Sequence, residues 1–336
     1  MNKYNNNIKT NIIYMSDYLE LEEHTRYFFG DTRHPDIYNI YNNTRDTTWH
    51  EGEIQKELST DIKNKELIPH DQRKTLLNIL SFFAVGDGIV NETSGTDILP
   101  RITILEIQMV MRLFMAQEDV HNIVYTMLVN MYAIDDKEKN ESLKSLTNMP
   151  SVMGKKNWSD KWSIDAKLAQ VILCNVIIEG LFFSSSFCYI FWINLIHKGK
   201  LPGLAISNDW ISRDEGNHTS FGIKLYKMSN KIPDDIVYQM FREAVAVESE
   251  FVREIFHDKR FAGMNNDLMI QYVKYEADTI LWDLGYDKIY MVDNPFGFMN
   301  MKDSTIRHGD FHCRDISDYA LNTTGEGGTL VFDDDF

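Results

Sequence analysis

The sequence predicts an all-α protein built as a bundle of long helices. Apolar residues recur every three or four positions from about residue 71 to about residue 285, which is the period of a helix with one buried face. We find no strongly alternating pattern of the kind that half-buried strands show, and no repeat of solenoid length. A chain of 336 residues with 43% hydrophobic content can bury a large core.

Breaks in this periodicity set the predicted helix boundaries. Pro100 and Pro233 end helices because a proline ring clashes with the preceding turn, and the Gly/Lys/Pro stretch 199–203 separates two more. The predicted helices are 71–94, 101–133, 164–198, 204–229, 233–260 and 265–284.

The two ends of the chain lack this pattern. Residues 1–48 are polar and rich in Asn and Tyr, and we expect an irregular arm that wraps the core. After Pro295 the periodicity stops, and the last residues, 329–336, combine apolar and acidic side chains behind three glycines. The predicted organisation is one helical domain over 1–300 and a flexible tail over 301–336.

Composition restricts the classes of function. The formal net charge of −16 disfavours binding to nucleic acid or to an anionic membrane. Cys174, Cys188 and Cys313 form no CxxC pair, and no apolar signal segment begins the chain, so a reducing, cytoplasmic compartment is expected. The most apolar stretch, 171–196, is interrupted by polar residues, which favours a buried core helix over a membrane span.

Charged residues on apolar helix faces are the main functional signal. The inward face of helix 101–133 is apolar except for a glutamate and a histidine one turn apart: Ile107, Met111, Phe114, Glu118, His121, Tyr125, Leu128 and Tyr132. Three other helices also aim acids inward, namely Asp87, Glu179 and Glu215, the last followed by His218. A buried carboxylate needs a compensating partner, and a metal ion is one.

Acid-x-x-His pairs are weak evidence individually, since chance alone gives roughly 1.5 of them in a chain of this composition. The sequence contains four: Asp31/His34, Glu118/His121, Glu215/His218 and Glu254/His257. The first falls in a predicted loop. The last falls off the apolar stripe of its helix, among acids that include Glu248, and is predicted to lie on a solvated face.

The two remaining pairs match a known way of building a dinuclear metal site in a helix bundle. That site takes one carboxylate from each of two helices and a Glu-x-x-His pair from each of two others. Here Asp87 takes the place of one glutamate. Oxygen ligands with one imidazole per ion favour iron or manganese over zinc. The alternative, buried salt bridges with Lys or Arg, is disfavoured because these faces carry few basic residues.

At these residues the sequence resembles the small, radical-generating subunit of class I ribonucleotide reductase, in its eukaryotic and viral form. The resemblance runs from about Trp49 to the C-terminus and implies a ferritin-like, di-iron carboxylate fold. The segments that carry it are FFAVGDGIVNE (82–92), QEDVHNIVY (117–125), EGLFFSSSF (179–187), LPGLAISNDWISRDEGNH (201–218) and NPFGFM (294–299).

The resemblance implies a role for each matching residue. One iron would be held by Asp87, Glu118 and His121, and the other by Glu179, Glu215 and His218, with Glu118 and Glu215 bridging. Mn/Fe or Mn/Mn loading uses the same types of ligand. Tyr125 occupies the position of the radical tyrosine, and the apolar pocket around the radical would consist of Phe183, Phe187 and Ile211.

The resemblance also implies a path for the radical and a partner. Trp49 and Asp214 match a link from His121 toward the surface, and Tyr319 matches the tail tyrosine of the pathway. The last residues resemble the tail that docks the large catalytic subunit. The implied protein is a homodimer that acts as the small subunit of ribonucleoside-diphosphate reductase and passes a tyrosyl radical to the large subunit for deoxyribonucleotide formation.

Two other classes of function use a similar bundle. A free-standing di-metal oxygenase or oxidase would need a substrate channel and no docking tail, and an iron-storage bundle is usually shorter and needs no radical tyrosine. Trp49, Tyr125 and the acidic-aromatic tail favour the reductase subunit. The chain has no Gly-rich phosphate loop, which fits a subunit that supplies a radical and leaves nucleotide binding to its partner.

Overall fold

The computed structural model describes Leu19 and residues 29–257 and 261–299. This part of the chain contains eleven α-helices: α1 (Pro35–Thr47), α2 (Gln55–Asn64), α3 (His70–Thr93), α4 (Leu105–Tyr132), α5 (Asp136–Asn148), α6 (Pro150–Ser163), α7 (Leu168–Ile177), α8 (Ser184–Ile196), α9 (Pro202–Met228), α10 (Asp234–Phe256) and α11 (Asn266–Leu284). The extended pairing found in the described ranges is one isolated bridge between Phe261 and Met264. The predicted all-α class is confirmed.

The long helices form a bundle around a buried centre. α3 packs along α4, while α7 and α8 pack against α9, and α4 also contacts α9. A second layer is formed by α10, which packs between α6 and α11. Helices that carry apolar residues on most of their surface, such as α7, occupy the interior, as expected from the hydrophobic effect.

The predicted irregular arm is wrong for its last part, because residues Pro35–Thr47 form α1. Pro35 occupies the first turn, where its missing N–H is no loss, and Asp36 lies there as well. Only Ile37 and Thr44 of this helix are buried, so the sequence offers little helical periodicity. Helix α1 is stabilised by packing against α4, a tertiary contact that the pattern of apolar residues in this segment does not reveal.

Three further helices, α2, α5 and α6, lie in segments for which the periodicity predicted no helix. Local signals for two of them are present in the sequence. Asp135 caps α5 by accepting a hydrogen bond from the Glu138 N–H, and Pro150 stands in the first turn of α6. Both helices are short and mostly polar, which is why the apolar period did not reveal them.

The predicted helix 164–198 is divided in the structure. A π-helical turn, Ile178–Phe182, separates α7 from α8, and it contains Glu179. Gly180 in this turn permits close packing, since a Cβ there would lie 2.9 Å from Cδ1 of Ile280 and from Cγ2 of Thr219. π-Turns within helices often occur at functional sites, because the extra residue changes which side chains face inward.

The span Leu168–Ile196 passes the length and composition test for a membrane-crossing helix, with a mean hydropathy of 1.8. However, 89% of its most apolar window is buried within the fold. Its apolar surface is therefore covered by neighbouring helices, as the sequence predicted for a core helix.

Candidate metal centre

Six ionisable side chains converge from four helical segments at the centre of the bundle. Asp87 comes from α3, Glu118 and His121 from α4, Glu179 from the π-turn, and Glu215 and His218 from α9. Each is at most 6% exposed. Two overlapping groups each have possible ligand atoms within 4.8 Å of one another: Asp87, Glu118 and His121, and Glu118, Glu179, Glu215 and His218. The structure thus brings together all six residues that the sequence proposed as ligands.

Glu118 and Glu215 lie between the two imidazole rings. Glu118 places Oε1 at 3.0 Å from Nδ1 of His218 and Oε2 at 3.7 Å from Nδ1 of His121. Glu215 places Oε1 at 3.0 Å from Nδ1 of His121 and Oε2 at 3.6 Å from Nδ1 of His218. Each carboxylate therefore offers one oxygen to each half of the site, which is the arrangement that bridging ligands require.

The atoms that face this centre lack well-aligned hydrogen bonds. They are both carboxylate oxygens of Asp87, Glu118 and Glu215, and the Nδ1 atoms of His121 and His218. A buried polar atom without a partner is expensive, so a concentration of them around one point requires a compensating group. Oxygen and imidazole donors in this number fit a pair of divalent cations of the iron or manganese type.

The charges of the centre depend strongly on one another. Burial, together with the charges of Glu118 and Glu215, raises the pKa of Asp87, and burial also raises the pKa of Glu179. Burial opposes ionisation of Glu118 as well, but its contacts with the two histidines outweigh burial and lower its pKa to about 2. The negative charge is therefore concentrated on the oxygens between the imidazoles, where cations would bind.

Further polar side chains contact the ligands and orient them. Gln117 Oε1 lies 3.1 Å from Nε2 of His218, and the Asn175 side chain donates to Oε1 of Glu179 at 2.9 Å. Such contacts fix the orientation of a ligand and tune its basicity. The sequence interpretation assigned neither residue to the site. Asn175 could have been found, because it is a polar residue in a strongly apolar helix, one turn before the predicted ligand Glu179.

Tyr125 lies one turn beyond His121 on α4 and is 1% exposed, and its hydroxyl has no hydrogen-bonding partner among the described residues. Its ring stacks on Phe83, with 4.6 Å between centroids and 8° between planes. Phe83 in turn contacts Phe183 at 5.3 Å and Phe187 at 4.7 Å. Burial raises the pKa of Tyr125 well above its usual value, so the phenol remains protonated.

The predicted pocket residues Phe183, Phe187 and Ile211 are all buried. The sequence interpretation did not include Phe83 in this pocket, although it is the ring that stacks on the phenol. Phe83 stands one turn before Asp87 on the same face of α3, so its position was available from the helical period.

A chain of hydrogen bonds connects His121 with Trp49. His121 Nε2 lies 3.3 Å from Asp214 Oδ2, and the same oxygen accepts from the Trp49 indole N–H at 2.7 Å. Burial would raise the pKa of Asp214, but His121 and the nearby charge of Arg213 together lower it, so the carboxylate stays ionised. Trp210, which packs on Trp49 with 5.1 Å between ring centroids, was not identified from the sequence.

The two discarded acid-x-x-His pairs lie elsewhere. Asp31 and His34 stand in the irregular segment before α1. Glu254 accepts a hydrogen bond from the Ser151 N–H, and His257 is exposed at the end of α10. One part of the interpretation was wrong: Glu248 is fully buried, and it pairs with Lys155 at 2.6 Å. The inward face of α10 is wider than its apolar stripe suggested.

The proposed tail functions cannot be placed on this geometry. Tyr319 and the docking segment 329–336 lie outside the described residues. Their roles remain predictions.

Comparison with known proteins gives consistent similarities. The profile of the family described as "Ribonucleotide reductase, small chain" matches residues 26–295. The chain is 35% identical over 283 residues to the ribonucleoside-diphosphate reductase small chain of Trypanosoma brucei brucei, covering 83% of this chain and 82% of that protein. It is 34% identical over 277 residues to the ribonucleoside-diphosphate reductase subunit M2 of Danio rerio, covering 82% and 70%.

Solved structures show the same architecture. The Rnr4 homodimer of the Saccharomyces cerevisiae ribonucleotide reductase superposes with a TM-score of 0.74 at 25% identity, covering 86% of this chain and 92% of that one. The dimanganese(II)-NrdF of Streptococcus sanguinis superposes with the same TM-score, 0.74, at 15% identity, covering 82% and 98%, and this likeness shows the fold alone.

Proposed function

Because this chain belongs to the family of ribonucleotide reductase small chains, we propose that Tyr125 stores the radical with which a ribonucleoside-diphosphate reductase starts its reaction. The chain is the small subunit of such an enzyme, which converts ribonucleotides to deoxyribonucleotides, and it has the ferritin-like fold of that family. The observation that carries the proposal is the buried phenol of Tyr125 beside six converging metal-ligand side chains.

The donor set supports a dinuclear metal centre. Asp87, Glu118 and His121 would hold one ion, and the other would be held by Glu179, Glu215 and His218, with Glu118 and Glu215 shared. We propose iron as the metal, because a tyrosine stands next to the ligands. Manganese/iron or manganese pairs also fit, because all three use oxygen and imidazole donors.

When bound, the two ions would supply activation of O2, the oxidant, and the phenol of Tyr125 would give up one electron to this chemistry. The phenol must release its proton at the same time, since burial disfavours charge on the ring oxygen. Among the surrounding carboxylates, Asp87 has the strongest electrostatic effect on the phenol, and its oxygens lack partners. We therefore propose an Asp87 oxygen as the acceptor of that proton.

The aromatic residues around Tyr125 protect the product. Phe83 covers one face of the phenol, and Phe183 and Phe187 pack on Phe83 in turn. These side chains are less than 10% exposed, so water and reductants have little access to the ring. A radical there would survive long enough to be used by a partner.

The chain Trp49–Asp214–His121 is the exit that we propose for the radical. Its hydrogen bonds are continuous, and Trp49 lies between the exposed residues Thr48 and His50, so it leads from the centre to the surface. Beyond the described residues, we propose Tyr319 as the next carrier and 329–336 as the segment that binds the large subunit. Such a path would move electrons and protons in coupled steps.

We propose a homodimer and a cytoplasmic, reducing location. Support for the dimer comes from the yeast relative, which was solved as a homodimer. Support for the location comes from Cys174 and Cys188, which are buried and form no disulfide within the described part of the chain.

The direct test is metal analysis combined with electron paramagnetic resonance after anaerobic Fe(II) and then O2 are added to the metal-free protein. We expect about two ions per chain, as a dinuclear site requires, and the signal of an organic radical. Co-purification with a large nucleotide-binding subunit would exclude an oxygenase and an iron-storage protein. Two bound ions without any radical or large subunit would contradict the proposal.

A further inference from the structure

A cavity of about 140 Å³ lies between α8, α9 and α11 and reaches the metal centre; we call it the entry cavity. Glu179 and Glu215 line its inner end. Ser220 and Asp283, which also line it, are exposed, so the cavity extends to the protein surface. This volume can hold several water molecules.

Polar groups stand among the apolar side chains that line the entry cavity. Glu276 of α11 is half-buried in its wall, and Ser212 and Thr219 of α9 add hydroxyl groups. Among the described residues, Thr219 Oγ1 has no hydrogen-bonding partner, and the carboxylate of Glu215, whose side chain is 3% exposed, makes no well-aligned hydrogen bond. These are oxygen groups that can replace water around a cation.

A second cavity, of about 40 Å³, reaches the centre from another direction, and it has no carboxylates in its lining other than those of the ligands. Apart from Glu118, Glu179 and His218, it contains no charged side chain, and most of the wall is apolar, including Met111, Phe114, Met115, Phe221 and Leu225. A hydrated cation would lose water there without replacement, which costs several kcal/mol. The small apolar cavity therefore suits neutral molecules.

We propose that divalent cations reach the metal centre through the entry cavity, with Glu276 as a relay carboxylate between Asp283 and the ligands Glu179 and Glu215. This inference rests on the proposed dinuclear site. Carboxylates that line a cleft attract cations, and such focusing raises association rates by about 10 to 10³-fold. The cation exchanges one carboxylate or hydroxyl oxygen for the next and keeps most of its oxygen coordination at every step.

The test measures the rate of metal uptake, with Mn(II) alone as the probe. Metal-free, full-length protein is mixed with Mn(II), and the loss of the free aquo-ion signal is followed by electron paramagnetic resonance. We expect Glu276→Gln to slow uptake by about three- to tenfold, with an unchanged final number of ions. The matched control is Glu141→Gln, which removes an equal charge from the surface of α5.

A steric variant makes the test independent of charge. Ser220→Phe places a ring at the exposed rim of the entry cavity, where it should slow uptake without affecting folding, as checked by the melting temperature of the metal-free protein. The wild-type rate should fall with added salt, and the Glu276→Gln rate should fall less.

Each outcome decides the proposal. Slower uptake in both entry-cavity variants but not in the control supports it. Equal rates in all variants, with two ions bound, would overturn the route and leave the dinuclear site intact. If Glu276→Gln reduces the number of bound ions, Glu276 is a ligand and the relay is wrong. A wild-type protein that binds fewer than two ions overturns the proposed function, and the route with it.

Discussion

Two tyrosines on the same helix show how one side chain can be assigned a chemical or a structural role. Tyr125 has a buried hydroxyl without a partner, and Tyr132, two turns later on α4, donates a hydrogen bond of 3.0 Å to Asp61. The hydroxyl of Tyr132 satisfies a buried carboxylate. The hydroxyl of Tyr125 makes no comparable contact, so its presence is better explained by chemistry than by packing.

For Tyr125→Phe, we expect normal folding and normal metal content, but no radical signal and no turnover with the large subunit. Loss of an unpartnered hydroxyl should change the free energy of unfolding by less than about 1 kcal/mol. Tyr132→Phe is the control, because it should lower that free energy by about 1–3 kcal/mol and keep the radical. Turnover by the Tyr125→Phe protein would mean that Tyr125 is only a core residue.

Asp214 connects Trp49 with His121, so its charge should matter for radical transfer. In Asp214→Asn we expect the Tyr125 radical to form while turnover falls by about tenfold or more, because the neutral amide removes the negative charge that strengthens the contacts with both Trp49 and His121. Electron paramagnetic resonance and an assay with the large subunit measure the two quantities. Arg213→Lys is the matched control, since it keeps a positive charge beside the other oxygen of Asp214 and leaves the connecting oxygen unchanged.

At the scale of elements, the π-turn between α7 and α8 depends on a buried ion pair. Lys155 of α6 donates to the carbonyl of Phe182 in this turn at 2.9 Å and pairs with Glu248 of α10 at 2.6 Å. Burial lowers the pKa of Lys155 to about 8, although Glu248 opposes this effect. Its ammonium group also lies over the rings of Phe82 and Phe251, at 4.1 Å and 3.6 Å from the centroids.

We expect Lys155→Met to lower the free energy of unfolding by about 3–5 kcal/mol, because it leaves the Glu248 carboxylate buried without its partner. The double variant Lys155→Met/Glu248→Leu should recover more than half of this loss, since an apolar pair can replace a buried ion pair. Urea unfolding of the metal-free proteins measures both. Losses that simply add in the double variant would show that the two residues do not act as a pair.

The N-terminus of α9, the helix that carries Glu215 and His218, is held by a residue of α2. Asp61 accepts hydrogen bonds from the Gly203 and Leu204 N–H groups at 2.8 and 2.7 Å. This contact satisfies amides that a helix leaves unpaired in its first turn. Burial outweighs these donors and raises the pKa of Asp61 to about 6.

This shift predicts a pH dependence of stability. A raised pKa means that folding favours the protonated carboxyl, so the contribution is fully present below the unfolded pKa of 3.8 and is lost as the pH rises through about 6. The stability of the wild type relative to Asp61→Asn, which cannot ionise, should therefore fall by about 1–3 kcal/mol as the pH rises from about 4 to about 6, and should change little above that. Unfolding curves at several pH values measure this. A difference that is constant with pH would contradict the shift.

On the scale of the whole molecule, the described helices form the radical-generating bundle and the tail is expected to form the contact with the partner. The last eight residues carry Leu330, Val331, Phe332 and Phe336 among three aspartates, a composition suited to an apolar groove with a basic rim. If this segment becomes ordered on binding, that ordering costs free energy, so its affinity should depend on a few apolar anchors.

Deletion of 329–336 should leave metal content and the Tyr125 radical unchanged, and it should eliminate binding to the large subunit and turnover. Pull-down with the large subunit and electron paramagnetic resonance test the two parts separately. A synthetic peptide of those eight residues should compete with the intact protein. Normal assembly of the truncated chain would place the partner surface on the bundle itself.

The sequence by itself determined the fold class and the set of candidate ligands. Acids and histidines on otherwise apolar helix faces, such as Glu118 and His121, identify buried polar positions because the helical period places them inward regardless of the neighbours. The helical period also predicts the long helices. The boundaries of α3, α4 and α11 differ from the prediction by a few residues at most. Periodic signals of this kind are local, and a single sequence contains them.

Tertiary structure alone decided what lies next to what. The sequence contains no period that pairs Lys155 with Glu248, stacks Phe83 on Tyr125, or brings Asp61 to the start of α9, because each contact joins elements far apart in the chain. The sequence also could not reveal the π-turn at Glu179 or the helix α1. Both are stabilised by packing against other helices more than by interactions within their own segments. Local periodicity predicts which face of a helix is buried, and only packing selects the partner that buries it.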